Sequence, residues 1–416
     1  MRELRPVLRL RGEGGGLCAA LGRSGRGAAV TSLRTNLFVV ALALAFLGNV
    51  MVYSATSAEG GAEYGAYSLA TRFAHLGIGI IAFFVTRGIR YTAWRRIAAP
   101  LYAGVFLSLV LVLFVGREIS GARRWIDVGP LQVQPAEFAK LAAVVLLASV
   151  VSRARPGSGL PWRAIGAVGV LFALVLVEPD FGTSVVISAG AAGVLWASES
   201  KTRDLLLAGS GALVLLVGAM LAAPYRRERF LTFLDPLSVC DGSGYQICQS
   251  MNAIREGSYL GAGPGAGGVP VPEMHTDMIF ALVGEELGLL GMFAVIGAFG
   301  FFVVSAYLIA LNAPTVLGRC LAAGLATMFA VQVVFNIGAT MSVVPLAGMT
   351  LPFVSYGGSS VLVCFAAVGI LYRISEDSEV ARVARRAPSG ERRGSAHPDR
   401  RRRDGGTRDP RAVRGG

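Results

Sequence analysis

The sequence has 416 residues, of which 54% are hydrophobic and only 16% are charged. A soluble globular domain is typically about a quarter charged, so this composition excludes a single water-soluble domain. Uncharged apolar runs of roughly 15–20 residues recur along the chain, and runs of that length can cross a hydrocarbon layer of about 30 Å as helices. The sequence therefore predicts a polytopic membrane protein.

The formal net charge of +13 is concentrated in the two ends of the chain. Residues 1–36 contain seven Arg and two acidic residues, and residues 377–416 contain twelve Arg and six acidic residues. Both segments have little apolar surface to bury, so we predict disordered tails on either side of a membrane domain of residues 37–376. Beside a membrane span, Arg runs typically follow the positive-inside rule. We therefore expect cytoplasmic tails and no nucleic acid partner.

Charge-free apolar runs predict an all-α fold with ten transmembrane helices. Basic residues lie between helices two and three, four and five, and six and seven, so these connections and both termini are predicted to be cytoplasmic. A re-entrant corner at residues 178–180 separates helices five and six, because one bent helix there would place the Arg-rich C-terminal tail outside. The predicted helices occupy residues 37–55, 71–86, 99–115, 137–152, 163–177, 182–199, 205–222, 277–311, 316–338 and 356–374.

The short outer segment 116–136 is basic on the face where positive charge is disfavoured. It contains Arg117, Arg123, Arg124 and the aromatic Trp125. Guanidinium groups suit phosphate, which favours a rim that binds a diphosphate. At the end of the segment Glu137 and Lys140 share a helical face and can pair. An interfacial Trp followed by an ordinary helix start is an equally good local explanation, and the residues alone leave both open.

Residues 223–276 are predicted to form a large extracytoplasmic loop between helices seven and eight. A run of glycines between Gly257 and Gly268 predicts a flexible segment, and the absence of a following GK[ST] argues against a nucleotide site. Cys240 and Cys248 lie in this loop and could form a disulfide or stay as free thiols. The scattered Cys and three His of the chain make a metal site built from these residue types unfavourable.

Asp277 opens the predicted eighth helix at its outer end, above the small residues Gly284 and Gly288. A carboxylate in this position could act as a general base or could simply cap the helix. Deeper in the same helix, Glu286 is expected to have a structural partner, since a buried ionisable group in a membrane span requires one.

A Pro- and Gly-rich turn precedes the last predicted helix. It is followed by the hydroxyl groups of Ser355, Tyr356 and Ser359. These hydroxyls could line the mouth of a polar cavity, or the small residues among them could serve close helix packing. Local chemistry leaves both interpretations open.

Six separated motifs together resemble the SEDS family of cell-wall polymerases. They are GARRWIDVG at 121–129, QPAEFAK at 134–140, EPDFGT at 178–183, YQ at 245–246, PEMHTDMIFALVGEELGLLG at 272–291 and LPFVSYGGSS at 351–360. The resemblance extends from about residue 37 to residue 374. GEELG after the HTD motif and Thr350 before LPFVSYGGSS resemble the FtsW and SpoVE branch more than the RodA branch, whose role is elongation.

The resemblance implies a multi-pass peptidoglycan glycosyltransferase of the cytoplasmic membrane, at the division septum. It would join lipid II to a growing undecaprenyl-diphosphate-linked glycan and release undecaprenyl diphosphate. A class B penicillin-binding transpeptidase and other divisome proteins would be its partners. The family's catalytic acid corresponds to Asp277 and its conserved tryptophan to Trp125. The motif residues Gln134, Gln246 and His275 are further candidates for substrate contact.

These observations predict one mechanism. Asp277 would accept the proton of the acceptor's sugar hydroxyl, while Arg123, Arg124 and Lys140 would stabilise the departing diphosphate. No cofactor is expected apart from a divalent cation such as Mg²⁺ or Mn²⁺, which could share the diphosphate because its oxygens are hard ligands. The same basic rim would also serve a lipid II flippase, and a non-catalytic divisome scaffold is a third alternative.

Overall fold

The computed structural model describes residues 5–119, 121–129, 131–154, 159–198 and 200–386. Helices dominate these ranges, and two short 3-10 turns lie at Tyr91–Ala93 and Leu237–Val239. The α-helices of the described residues are α1 Arg5–Gly88, α2 Trp94–Val115, α3 Pro135–Val151, α4 Trp162–Val177, α5 Phe181–Ala197, α6 Thr202–Ala222, α7 Pro224–Leu234, α8 Tyr245–Gly257, α9 Ile279–Leu311, α10 Val316–Thr340 and α11 Gly358–Arg386.

Every predicted membrane segment coincides with a helix of the structure. The long helix α1 is interrupted at Gly61, whose φ of 81° is non-helical, and this break separates the first two segments. Seven segments of the described residues are long and apolar enough to cross a membrane: the Leu33–Ser57 and Glu63–Gly88 parts of α1, Tyr91–Val115, and the segments of α6, α9, α10 and α11. The helices α3, α4 and α5 have 17, 16 and 17 residues. The polytopic helical fold is confirmed, and the count of ten spans stays a prediction.

The connection between α4 and α5 is a sharp corner, as the sequence predicts. Helix α4 ends at Val177 and α5 begins at Phe181, with Pro179 between them. The carboxylate of Asp180 caps α5 by accepting the backbone N–H of Thr183 at 2.9 Å. Two separate helices therefore meet at this corner.

The expectation of an all-α fold omitted a small antiparallel sheet in the basic segment after α2. Its strands are β1 Arg117–Ile119, β2 Ala122–Val128 and β3 Leu131–Val133, in the order β1-β2-β3. Gly121 and Gly129 adopt positive φ values of 77° and 61° after β1 and β2, and glycine adopts such values without steric cost. Strands as short as three residues give too little periodicity to be recognised in a sequence.

The predicted outer loop 223–276 is also more ordered than a plain loop, since it contains α7 and α8. A disulfide joins Cys240 to Cys248, with their Cα atoms 5.7 Å apart. Of the two alternatives that the sequence left open, a disulfide or free thiols, the structure has the disulfide. The glycine-rich segment after α8, predicted to be flexible, is bound to α9. Glu285 accepts the backbone N–H groups of Gly268 and Val269 at 2.8 and 3.0 Å.

Helix α9 changes direction at Gly288, whose φ of 65° is non-helical. The break frees backbone groups, and the segment after α8 binds them: Leu289 N–H donates to the carbonyl of Ser258 at 3.0 Å. Just before the break, Glu286 accepts hydrogen bonds from the hydroxyl of Ser54 and the N–H of Gly265. Glu286 thus has the structural partners that the sequence predicts. Gly288 serves this break instead of helix packing beneath Asp277.

The centre of the bundle is formed by α3, α5 and α10, which approach closely through small residues. A Cβ added to Gly324 of α10 would lie 2.5 Å from Val194 and 2.8 Å from Val144. Helix α6 differs, because none of its residues, all of which are described, is buried. At one end of the bundle lie the sheet and the segments 178–180, 223–278 and 341–357. We call this the polar end.

Candidate active site at the polar end

Asp277 lies in the turn before α9 and is partly exposed. The helix begins at Ile279 with Met278 as its N-cap, and among the described residues no side chain caps it. The prediction that Asp277 opens the helix is therefore wrong by two residues, and helix capping does not explain this carboxylate. Capping fails because the chain turns at residues 273–278 before helical geometry starts.

Arg229 of α7 and Gly348 lie beside the Asp277 carboxylate. A Cβ added to Gly348 would be 3.5 Å from Oδ2 of Asp277 and 3.7 Å from Nη1 of Arg229, so all three groups share one small space. Burial and, to a smaller extent, Glu273 raise the pKa of Asp277 to about 6, and Arg229 opposes the shift. A carboxylate with a pKa near neutrality is suited to accept a proton in a reaction.

Arg124 of β2 is tied to the corner between α4 and α5. Its Nε donates to the carbonyl of Glu178 at 2.8 Å, and its Nη2 donates to the carbonyl of Pro179 at 2.7 Å. Arg123, the preceding residue, is exposed and pairs with Glu118 at 3.3 Å, because successive strand residues point to opposite faces. The two predicted rim arginines are therefore not equivalent, and only Arg124 faces the corner. Trp125 is half-buried beside it.

The corner brings two further carboxyl groups to the polar end. The Glu178 side chain is 1% exposed, and burial, followed by the nearby Asp180, raises its pKa to about 8, against a lowering by Arg124. Asp180 accepts a hydrogen bond from Nε2 of Gln134 at 3.2 Å. The backbone N–H of Gln134 in turn donates to Oγ of Ser359 at 3.0 Å. The predicted residues Gln134 and Ser359 thus meet at this corner.

The turn formed by His275, Thr276 and Asp277, here called the HTD turn, is joined by hydrogen bonds to the segment before α11. Ser355 Oγ donates to the carbonyl of Thr276 at 2.5 Å, and the N–H of Tyr356 donates to the carbonyl of His275 at 2.9 Å. The rings of His275 and Tyr356 meet edge to face with centroids 6.0 Å apart. Ser355 and Tyr356 therefore both contact the turn that contains His275 and Asp277.

Two of the three other predicted residues lie apart from this cluster. Lys140 and Glu137 form the expected pair, with 2.7 Å between Nζ and Oε2, but both are buried inside the bundle. Lys140 also donates to Oε1 of Gln332 at 3.2 Å. Gln246 of α8 is half-exposed, and its Nε2 donates to the carbonyl of Pro272 at 3.2 Å.

Comparison with known proteins decides the family. Residues 34–380 match the family described as cell cycle protein, which comprises FtsW, RodA and SpoVE. The chain belongs to this family. It is 36% identical to the probable peptidoglycan glycosyltransferase FtsW of Trichlorobacter lovleyi, over 83% of this chain and 93% of that protein. It is 35% identical to stage V sporulation protein E of Bacillus subtilis, over 82% and 96%. The resemblance to the FtsW type of the SEDS family is thereby confirmed.

Solved structures of the family share the fold. One chain, from a peptidoglycan synthase complex that coordinates polymerization and crosslinking, superimposes with a TM-score of 0.69 at 33% identity. The match covers 82% of this chain and 97% of that one. The rod shape determining protein RodA of Thermus thermophilus gives a TM-score of 0.61 at 27% identity, covering 82% and 96%.

Sequence reasoning did not assign three groups of this family member's polar end to the site, namely Arg229, Glu178 and Asp180. Asp180 and Glu178 stand in a family motif at a break between apolar runs, which is a usable signal for a polar site. Arg229 gave no comparable signal, since it is one of several arginines in a long loop. Among the described residues, no three His, Cys, Asp or Glu side chains are grouped to hold a metal ion.

Proposed function

We propose that the protein polymerises lipid II into glycan strands during cell division, as a peptidoglycan glycosyltransferase of the FtsW type. The relatives named probable peptidoglycan glycosyltransferase FtsW support the reaction class. The observation that carries the proposal is the position of Asp277, a partly exposed carboxyl with a pKa of about 6, held beside Arg229. A general base and a cation side by side are what this glycosyl transfer requires.

In the proposed reaction, the 4-hydroxyl of the acceptor's GlcNAc attacks the anomeric carbon of the donor's MurNAc. Asp277 accepts the hydroxyl proton as the new glycosidic bond forms. The bond to the diphosphate breaks, and undecaprenyl diphosphate leaves with the electron pair. Arg229 and Arg124 lie close enough to Asp277 to influence its titration, so the same guanidinium groups can stabilise the departing charge.

The remaining predicted residues have secondary places in this proposal. Arg123 and Trp125 belong to strand β2 and can contact the sugar or diphosphate, while Gln246 lies near the HTD turn. Lys140 acts within the bundle, through its pair with Glu137. Any Mg²⁺ or Mn²⁺ would take its oxygen ligands mainly from the substrate diphosphate.

We further propose ten spans, cytoplasmic termini, and a location at the division septum. The positive-inside rule supports this orientation, which places the polar end outside the cytoplasm where lipid-linked sugars are polymerised. A Cys introduced by Ser395→Cys, in the tail outside the described residues, should resist an impermeant thiol reagent in intact cells and react after permeabilisation. Labelling in intact cells would overturn the topology.

A class B penicillin-binding transpeptidase is the proposed partner, together with other divisome proteins. A related chain occurs in a peptidoglycan synthase complex that coordinates polymerization with crosslinking, which supports such a pairing. The decisive experiment is polymerisation of labelled lipid II by purified protein, with and without the transpeptidase. Glycan chains are expected. Transfer of lipid II across a vesicle membrane without polymer would establish the flippase instead. If neither activity is found, the scaffold alternative remains.

A further inference from the structure

One buried side chain of α10 connects two segments of the Asp277 site. Nδ2 of Asn336 donates to the carbonyl of Asp277 at 2.8 Å and to the carbonyl of Met349 at 2.6 Å. The residue is only 3% exposed. A single amide nitrogen therefore uses both of its hydrogens to join the HTD turn to the segment that precedes α11.

Another carboxamide of α10 holds the segment before α11 at Thr350, the residue after Met349. Gln332, four residues before Asn336 and so on the same face of α10, donates from Nε2 to the carbonyl of Thr350 at 2.9 Å. Two consecutive carbonyl groups, of Met349 and Thr350, are thus fixed to one helix. Of these two carboxamides, Asn336 is the one that also reaches Asp277.

The held segment in turn limits where the Asp277 carboxylate can lie. Gly348, next to Met349, has a φ of 65° and sits against Oδ2 of Asp277 and Nη1 of Arg229. A side chain at Gly348 would enter the space that separates the base from the guanidinium. Asn336 therefore fixes the backbone of Asp277 directly. Through Met349 it also fixes Gly348, which borders the Asp277 carboxylate.

The orientation of the Asn336 amide is fixed by the two hydrogen bonds that it donates. Within the described residues, Oδ1 of Asn336 is buried and has no hydrogen-bond partner. An unsatisfied buried acceptor is unfavourable, so it offsets part of the stability that the two donated bonds provide. The two carbonyl acceptors fix the orientation of the amide, because the flipped amide would place oxygen against oxygen.

We propose that Asn336 is a positioning residue for glycosyl transfer, which holds the Asp277 base against the Gly348–Thr350 segment and beside Arg229. This inference rests on the proposed function. A general base must lie within roughly 2.6–3.2 Å of the proton that it accepts. Without the bridge, the turn and the segment can separate, and a displacement of about 1 Å at a reacting group can reduce the rate about a hundredfold.

The experiment compares two substitutions of Asn336 with a matched control in purified protein. Asn336→Ala removes the bridge, and Asn336→Asp keeps the size but replaces the donor by an acceptor. Thr340→Val is the control: Thr340 is equally buried on α10 and donates one hydrogen bond, to the carbonyl of Asn336 at 2.9 Å, without contacting Asp277. Rates of lipid II polymerisation, melting temperatures and pH profiles are measured for each.

We expect Asn336→Ala to lower kcat about tenfold or more with KM changed less than about threefold, because the base is misplaced while the lipid site remains. Asn336→Asp should in addition move the acidic limb of kcat/KM to higher pH, since it brings a negative charge toward Asp277. The charged groups that already act on Asp277 are Glu273 of its own segment, Arg229 of α7, Asp180 of the corner and Arg124 of β2. Thr340→Val should keep the wild-type kcat and pH profile.

Two results would overturn the positioning role while leaving the proposed function intact. One is a normal kcat in Asn336→Ala beside an active wild type. The other is a loss of kcat that Thr340→Val reproduces in proportion to its fall in melting temperature, while the acidic limbs of kcat/KM for Asn336→Asp and Thr340→Val stay at the wild-type pH. If the wild type itself makes no glycan, the proposed function fails, and the positioning role fails with it.

Discussion

The polar end and the centre of the bundle are held together in different ways. In the bundle, α3, α5 and α10 meet through small residues, so that Gly324 has branched side chains within van der Waals distance. At the polar end, side chains instead donate to backbone carbonyl groups, as Arg124 does at the corner and Asn336 at the HTD turn. Close packing fixes the helices, and directional hydrogen bonds fix the groups of the candidate site.

Because of this difference, substitutions in the two regions should affect activity and stability differently. A hydrogen bond from one side chain has a preferred direction, so its loss reorients a site while most of the apolar core stays buried. A methyl group added to a packed glycine displaces whole helices, although it lies far from the reacting atoms. Substitutions at the polar end should therefore lower activity with little loss of stability, and substitutions in the bundle should do the reverse.

The largest effect on activity is expected for Asp277→Asn. The change keeps the size of the side chain but removes the proton acceptor. General base catalysis contributes about 10²–10⁴-fold, so polymerisation of lipid II by the purified variant should fall at least about a hundredfold. Its melting temperature should stay near that of the wild type, because no hydrogen bond caps α9 from this residue.

Association with the proposed transpeptidase partner provides the control for this variant, since a correctly folded protein should keep whatever association the wild type shows. Glycan synthesis at the normal rate would remove Asp277 from the mechanism and favour a flippase or a scaffold. A parallel loss of binding and melting temperature would show instead that the polar end stabilises the fold, and the contrast between the two regions would disappear.

Arg124→Ala is expected to weaken lipid II binding about tenfold. A hydrogen bond to a charged group contributes roughly 1.5–3 kcal/mol, and the guanidinium also fixes the carbonyls of Glu178 and Pro179. Arg123→Ala is the matched comparison, because Arg123 is exposed on the opposite face of β2. Its loss should weaken lipid II binding less than the loss of Arg124 does. Binding can be measured with labelled lipid II. Equal affinity in wild type and Arg124→Ala would leave this arginine a structural role only.

The acidity of Asp277 predicts how activity depends on pH. Only the deprotonated carboxylate can accept a proton, and burial raises its pKa to about 6. The ratio kcat/KM should therefore fall as the pH is lowered through about 6, by up to tenfold per pH unit. Arg229→Ala should move this limb to higher pH, since the guanidinium lowers the pKa. A limb at the pH of an ordinary exposed carboxyl would show that Asp277 is not the titrating base.

The helices were predictable from the sequence, whereas the sheet was not. An apolar run long enough to cross a membrane identifies α6 or α10 whatever surrounds it. The corner was also predictable, because Pro179 between two acidic residues cannot continue a helix. Strands β1 and β3 have three residues each, and they are defined by pairing with β2. Pairing between strands is a property of the folded chain.

The site was predictable only in part for a related reason. The motifs singled out Asp277, Ser355 and Tyr356 as candidates, but the contact between their segments is seen only in the structure. Arg229 reaches the acid only through the path of α7, and Asn336 through its position on α10. No local pattern distinguishes Arg229 from the other arginines of its loop, and none indicates which segments Asn336 joins. Their roles follow from contacts between segments that are far apart in sequence.

Gly324→Ala tests the packed centre of the bundle, where the expected effect on activity is smallest. The added Cβ would lie 2.5 Å from Val194, 2.8 Å from Val144 and 3.2 Å from the carbonyl of Gly190, so α3, α5 and α10 must shift. Overpacking of this kind typically costs about 1–3 kcal/mol. The melting temperature of the purified protein should fall by several degrees, while kcat per folded molecule should stay close to the wild-type value.

Gly209→Ala on α6 is the matched control, because nothing lies within 4 Å of a Cβ added there. Alanine also favours a helix over glycine by up to about 1 kcal/mol, so this variant should be as stable as the wild type or slightly more stable. Two identical substitutions in two apolar helices should thus have opposite effects on the melting temperature. If they behave alike, the close approach of α3, α5 and α10 does not carry the stability of the bundle. If Gly324→Ala lowers kcat instead, the helices transmit strain to the polar end.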